Sequence, residues 1–429
     1  MKNVFKKIVC IFAGAALLAC APAQNVCRTR VAHAETVENM QQAYNLEELL
    51  TPVWEGKTCY QESALPVMRS MSQRVEIPLL YPVDKVVKLQ NATLTKTFTE
   101  GVDYVVEDGQ LFVLYSGDIP IMRYDEYNPS YSDFPNVNGG YLCFSEGAYF
   151  HNRQIVVTYT HKTRYDGYVP ENKGALLPTV SEKRAQGDDL DLFVLGDSIS
   201  VGANSSGFTN VSPYLPIYPQ LVAEGLKAEY GLNEVRVYNH SVGGKDSAWG
   251  TSIIGEALAE HTNVDLAILA FGMNDGNTSM STFNRNLSTM IDAVKAAFPN
   301  AEILLVATML PNPDSTYYQN QTNFASGMLT DLEKEGVAVA NVTAVHHSLL
   351  AYKYYSDMTG NNINHPNDYL ARVYAQTLLQ TIRTEQPVSS EQSGEKSGCG
   401  GVVSGAVGAP ITLALAGTVI RKRKRETDK

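Results

Sequence analysis

Four short segments hold residues with the means to do chemistry. The first is Gly196-Asp197-Ser198-Ile199-Ser200, which follows an apolar run. Small Gly196 permits a tight strand-to-helix turn, which lifts a serine hydroxyl into solvent at a helix N-terminus. Free backbone N–H groups there can stabilise a developing oxyanion. Taken alone the segment is weak, because Gly-Asp-Ser is also an ordinary turn with a capping residue. The second segment is Asn239-His240-Ser241-Val242-Gly243-Gly244. A glycine lets its N–H approach a substrate with no Cβ in the way. The third, Gly272-Met273-Asn274-Asp275, offers a side-chain amide that can donate to an oxyanion, and Asp275 reads as a loop-stabilising acceptor. The fourth, Asn362-Ile363-Asn364-His365-Pro366, brings an imidazole just ahead of the last helical pattern.

These segments sit where apolar strands end. Strand candidates run over Leu190 to Leu195, Glu234 to Tyr238, Val264 to Ala270, Glu302 to Thr308 and Val337 to Val342. Helical patterns fill the gaps, including Thr282 to Phe298 and Asp368 to Arg383. Apolar strands alternating with helices imply a parallel sheet covered on both faces. Such sheets bind ligands at the C-terminal ends of their strands.

In this order the four segments resemble the conserved blocks of the SGNH (GDSL-type) hydrolase family, over roughly residues 188 to 385. The resemblance implies a flavodoxin-like three-layer α/β/α fold and ester hydrolysis with no metal or cofactor. It implies Ser198 as nucleophile and His365 as general base. The oxyanion donors it implies are the Ser198 N–H, the Gly244 N–H and the Asn274 amide. One position departs from the family: D-x-x-H becomes Asn362-Ile363-Asn364-His365. Asn362 thus takes the catalytic acid's place, yet it has no charge with which to stabilise an imidazolium. In a serine protease an Asp-to-Asn change at the orienting position costs ~10⁴. Asp357, Asp368 or a backbone carbonyl could orient His365 instead. On this reading Asn362→Asp leaves activity unchanged or raises it.

Tyr317 and Tyr318, in a polar loop after the fourth strand, are candidate substrate contacts, since loops at that edge carry specificity. His240 is a third candidate, with a structural role as its alternative. His346-His347 reads as a pair of polar loop histidines rather than metal ligands.

Upstream lies a β-rich stretch. Asp108-Gly109 between Tyr104-Val105-Val106 and Leu111-Phe112-Val113-Leu114 is a strong hairpin signal, because both turn positions need positive φ. Ile155 to Thr160 reads as another strand, and the region as a small sandwich-like domain. A helical stretch over about 35–50 precedes it. Within it lies a loop bearing Tyr124, Tyr127, Tyr131, Phe134, Tyr141, Phe144 and Tyr149. Its aromatics suit stacking on sugar rings, or packing over their own sheet.

The chain's 429 residues suit about two domains, and 44% hydrophobic content is ordinary for a globular protein. A net charge of −11 argues against a nucleic-acid binder. Lys2, Lys6 and Lys7, the apolar run from Ile8 and Ala32-His33-Ala34 read as an export signal cleaved after Ala34. Leu17-Leu18-Ala19-Cys20 gives a lipoprotein alternative. Val402 to Ile420 is uncharged and is followed by Arg421-Lys422-Arg423-Lys424-Arg425, as in a spanning helix with a cytoplasmic basic end. This architecture resembles surface proteins of Gram-positive bacteria. Of six cysteines, Cys59 and Cys143 lie in the exported body and could pair.

The expected plan is therefore a signal peptide at 1–34, a β-rich accessory domain at 35–165 and a linker at 166–187. The hydrolase domain follows at 188–385, then a stalk at 386–401, a transmembrane helix at 402–420 and a tail at 421–429. The expected activity is extracytoplasmic esterase action on O-acetyl groups of glycans. A lipase or lysophospholipase of the same family is one alternative, and a non-catalytic glycan-binding surface protein is another.

Overall fold

The computed structural model describes residues 44–69 and 74–384. The expected signal peptide, stalk, membrane helix and basic tail lie outside these residues. No helix among the described residues is long and apolar enough to cross a membrane.

Short β-propensity runs punctuated by turns make up the N-terminal half. They form β1 (Thr58–Ala64), β2 (Arg74–Ile77), β3 (Lys85–Asn91), β4 (Tyr104–Glu107), β5 (Gln110–Leu114) and β6 (Ile155–Thr160). Two three-stranded antiparallel sheets result, β1-β6-β3 and β2-β5-β4. Asp108 (φ 50°) and Gly109 (φ 78°) make the two-residue turn between β4 and β5. Both need the left-handed region, which Asp tolerates and Gly favours. Of the helix expected over 35–50, the described part is Leu46–Leu50, capped by the Asn45 side chain.

The second half contains β7 (Leu190–Gly196), β8 (Val235–Asn239), β9 (Leu266–Ala270), β10 (Glu302–Ala307) and β11 (Val337–Asn341). They lie in the order β8-β7-β9-β10-β11, all parallel. Every residue of β7, β9 and β10 is buried. The alternation of a strand splits their side chains between two cores. Leu192 and Val194 pack with Leu221, Val222 and Leu378 from the helices Tyr218–Tyr230 and Asp368–Ile382. Phe193 and Leu195 pack with Ile254, Leu287 and Met290 from Ser247–Ala259 and Met280–Ala297. A helical layer thus covers each face. The order reverses at β7, and the crevice between the C-terminal ends of β7 and β9 is the switch point where such sheets bind ligands.

The β-rich segment shares the first of these cores, contributing Leu89, Leu111, Val157 and Tyr159. An ion pair between Glu62 of β1 and Lys353, at 2.6 Å and with both side chains fully buried, ties it to the α/β half. Arg372 adds bonds to the carbonyls of Tyr60 and Gln61. Where a linker was expected at 166–187, the chain forms a helix, Pro178–Gln186. Pro178 at its start and left-handed Gly187 (φ 69°) past its end give the reason.

Candidate active site

β7 delivers Ser198. Glycine is required at position 196, because a Cβ there would lie 2.5 Å from Ser200 Oγ and 2.6 Å from the Ala270 carbonyl oxygen. The chain then turns into a single helical turn, Ser198–Val201, capped by Asp197, whose Oδ1 accepts from the Ile199 N–H at 2.9 Å. Asp197 is buried and its other oxygen has no hydrogen-bond partner among the described residues. Burial, reinforced by nearby Asp275, pushes its carboxyl up to about 7 despite the Ile199 N–H.

His365 arrives on the loop before the helix Asp368–Ile382, with its Nε2 2.9 Å from Ser198 Oγ. For Nε2 to accept the serine proton, Nδ1 must carry the ring's own proton. The acceptor for that proton is Asn204 Oδ1, at 2.5 Å. The orientation of the Asn204 amide is fixed, since its Nδ2 donates to the Gly147 carbonyl at 3.1 Å. Glu146 Oε2 stands 3.5 Å from the same Nδ1. Asn361 builds the loop, its Oδ1 accepting from the N–H groups of Ile363, Asn364 and His365.

The second and third segments lie over the serine. The Val242 N–H donates to the Gly196 carbonyl at 3.1 Å, which ties the glycine pair to the end of β7. A Cβ on Gly243 would lie 3.8 Å from Ser198 Cβ. Gly244 is left-handed (φ 74°) and exposed, and its N–H has no partner among the described residues. Asn274 Nδ2 donates to the Lys245 carbonyl at 2.9 Å, leaving one amide hydrogen for another acceptor. Its Oδ1 accepts from the Tyr317 hydroxyl at 2.5 Å. Beside Asn274 a cleft of ≈ 240 Å³ is lined by Asn277, Thr316, Tyr317, Gln319 and Gln321, with Met273 and Gly276 completing it. Asp275 holds the loop from below, accepting from the Ser247 N–H at 3.1 Å and the Ser247 hydroxyl at 2.5 Å.

A sequence model of the GDSL-like Lipase/Acylhydrolase family matches residues 194–373, a span that includes all four segments. Over those residues the chain is similar to GDSL-like acylhydrolases. Over 134 residues the chain is 22% identical to an uncharacterized protein of Mycoplasma pneumoniae (strain ATCC 29342 / M129 / Subtype 1), covering 30% of this chain and 14% of that one. Among solved structures it is similar to a two-domain esterase (CEX) active on acetylated mannans, at 20% identity and TM-score 0.39. That match covers 50% of this chain and 55% of the esterase. It is also similar to Axe2, an acetylxylan esterase from Geobacillus stearothermophilus, at 17% identity and TM-score 0.38, covering 47% of this chain and 97% of Axe2. The chain thus spans 14% of the curated relative and about half of the two-domain esterase.

Some expected residues stand elsewhere than the sequence suggested. Asn362 does not touch His365. It is fully buried and left-handed (φ 65°), its Nδ2 donates to the Cys143 carbonyl at 3.0 Å, and its own carbonyl accepts from Asn312 Nδ2. Its side chain is committed to the loop opposite, so it cannot orient the imidazole. Neither expected carboxylate serves either. Asp357 accepts from the N–H groups of Leu65 and Tyr354, and Asp368 from that of Ser206. His240 has Nε2 2.7 Å from His261 Nε2 and stacks on Phe193. Tyr317 acts on Asn274, while half-buried Tyr318 is absent from the cleft lining. His346 lies buried in the helix Val342–Leu349, not in a loop, with its Nδ1 accepting from the Leu310 N–H. Burial, helped by adjacent His347, drives its ring down to about 3. Cys59 and Cys143, which could have paired, form no disulfide among the described residues. The residues that sequence reasoning missed are Glu146, Asn204 and Asn361, and no local motif singles out any of them.

Proposed function

We propose that the protein is a serine esterase that cleaves small acyl esters, with O-acetylated carbohydrate as its substrate class. The 2.9 Å contact between Ser198 Oγ and His365 Nε2 carries this reading. His365 takes the Ser198 proton on Nε2 as Oγ attacks the ester carbonyl. The oxyanion is received by the N–H groups of Ser198 and Gly244 and by the free amide hydrogen of Asn274. His365 then protonates the leaving alcohol. In the second step it activates a water that releases the acid and restores Ser198. Tyr317 sharpens the third donor, because a hydroxyl bonded to Asn274 Oδ1 fixes the amide and polarises its N–H.

The polar lining of the cleft beside Asn274 favours a small acyl group on a hydroxylated partner over a fatty acyl chain. Rates on aryl esters of rising acyl length test this. Acetyl esters are expected to turn over fastest, with all activity lost in Ser198→Ala. A preference for long chains would favour a lipase instead, and folded protein whose Ser198 resists an organophosphonate would favour a binding protein. Export and anchoring by residues 402–420 belong to the same proposal, motivated by the charged ends of the two apolar runs. Protease accessibility of the body on intact cells tests them.

A further inference from the structure

The position three residues before His365 holds an amide, and that amide is spent on Cys143. A carboxylate nevertheless lies beside the imidazole. Glu146 Oε2 is 3.5 Å from His365 Nδ1, and Glu146 Oε1 accepts from Asn361 Nδ2 at 3.2 Å. Glu146 belongs to the Tyr-rich loop of the β-rich segment, outside the residues that the family model matches. That loop is anchored on both sides. Cys143 and Phe150 are buried with Leu65, Val67 and Met122, while the Cys143 and Gly147 carbonyls accept from Asn362 and Asn204. Asn362 therefore fastens the very loop that brings in a carboxylate.

We infer that Glu146 is a positioning residue of the Ser198–His365 couple, supplying from the β-rich segment the negative charge that the imidazolium needs. This rests on the esterase reading above. Asn204 accepts the Nδ1 proton and fixes the tautomer, and Glu146 stays ionised and provides the charge. The Glu146 side chain is 56% exposed, and its partial desolvation opposes that ionisation, but hydrogen bonding and attraction to His365, with help from Asn361 and Asn204, hold its carboxyl below the usual range. The other ionisable groups around the couple face elsewhere. Asp197 bonds the Ile199 N–H, Asp368 the Ser206 N–H, and Tyr317 the Asn274 amide. The division of labour also explains how the site can dispense with an acid at position 362.

The test is the rate at which a fluorophosphonate labels Ser198 in the full-length chain, measured across the range where histidine titrates. Wild type is expected to label faster as pH rises, along an acid limb that ends in a plateau. Glu146→Gln keeps shape and the Asn361 contact but removes the charge. Its acid limb is expected to move down by about one pH unit, since a nearby carboxylate favours the charged ring. Its plateau is expected to fall about tenfold or more, yet well short of ~10⁴, because Asn204 still selects the tautomer. Adding Asn204→Asp to Glu146→Gln places a carboxylate directly on Nδ1, and the limb is expected to move back up. Glu146→Gln protein with a wild-type limb overturns the inference whatever its plateau, and leaves the esterase reading standing. Folded wild type that does not label at Ser198 overturns both.

Discussion

Asn362→Asp recreates the D-x-x-H pattern, yet the geometry predicts damage. The Asn362 side chain is fully buried, with Nδ2 donating to the Cys143 carbonyl at 3.0 Å. An aspartate there loses a hydrogen bond worth about 1 kcal/mol and sets two acceptors against each other, with an unsatisfied buried oxygen costing about 1–3 kcal/mol more. The sum is about 2–4 kcal/mol, enough to lower the melting temperature by several degrees. Burial would raise the new carboxyl's pKa above its unfolded value. A group raised in this way contributes its stability at low pH and loses it as pH climbs through the folded pKa. The deficit against wild type should therefore widen from acid to neutral pH. Loss of the tie to Cys143 also loosens the loop bearing Glu146, so Ser198 labelling should slow. Melting curves at acid and neutral pH, with labelling rates alongside, check both effects. A variant that melts with wild type and labels as fast or faster would refute the reasoning, and would show that residue 362 can reach His365.

Three further outcomes follow from particular contacts. Tyr317→Phe removes the hydroxyl that holds Asn274 Oδ1; kcat on an acetyl ester should fall about tenfold, less than the ~10²–10³ for losing a whole oxyanion donor, with KM little changed. Buried Asp197, its carboxyl pushed up to about 7, should cost the fold stability as pH rises from about 4 towards 7; melting curves of Asp197→Asn, which keeps the acceptor for Ile199, should lack that decline. Lys353→Ala strands buried Glu62 without its partner and should cost about 3–5 kcal/mol in denaturant unfolding, where Ser198→Ala costs little.

The central strands β7, β9 and β10 were legible because each is a short, largely apolar run ending at a turn, and burial on both faces removes the ambiguity of alternation. The Asp108-Gly109 hairpin and the helices over 280–297 and 368–382 were legible from local turn chemistry and periodicity. Ser198, Gly244, Asn274 and His365 carry local motifs, so each could be named before its neighbours were known. The helix Pro178–Gln186 had a readable signal in Pro178 and Gly187 that its polar composition masked. The surroundings of His365 were not readable. Asn204 reaches Nδ1 across 161 positions, and Cys143 meets Asn362 across 219. Contacts of that separation leave no local pattern, and Glu146 sits in a loop whose aromatics draw attention away from its one charge near the site.

The central claim is that the Ser198 hydroxyl is the group that carries the acyl chain between the two halves of the reaction. Acid-quenching the full-length protein during turnover of an aryl acetate, then mapping the modified peptide by mass spectrometry, tests it most directly. Acetyl is predicted on Ser198, and none in Ser198→Ala or when His365 is replaced. Turnover with no acetyl on Ser198, or with Ser198→Ala still hydrolysing the ester at the wild-type rate, would contradict the account.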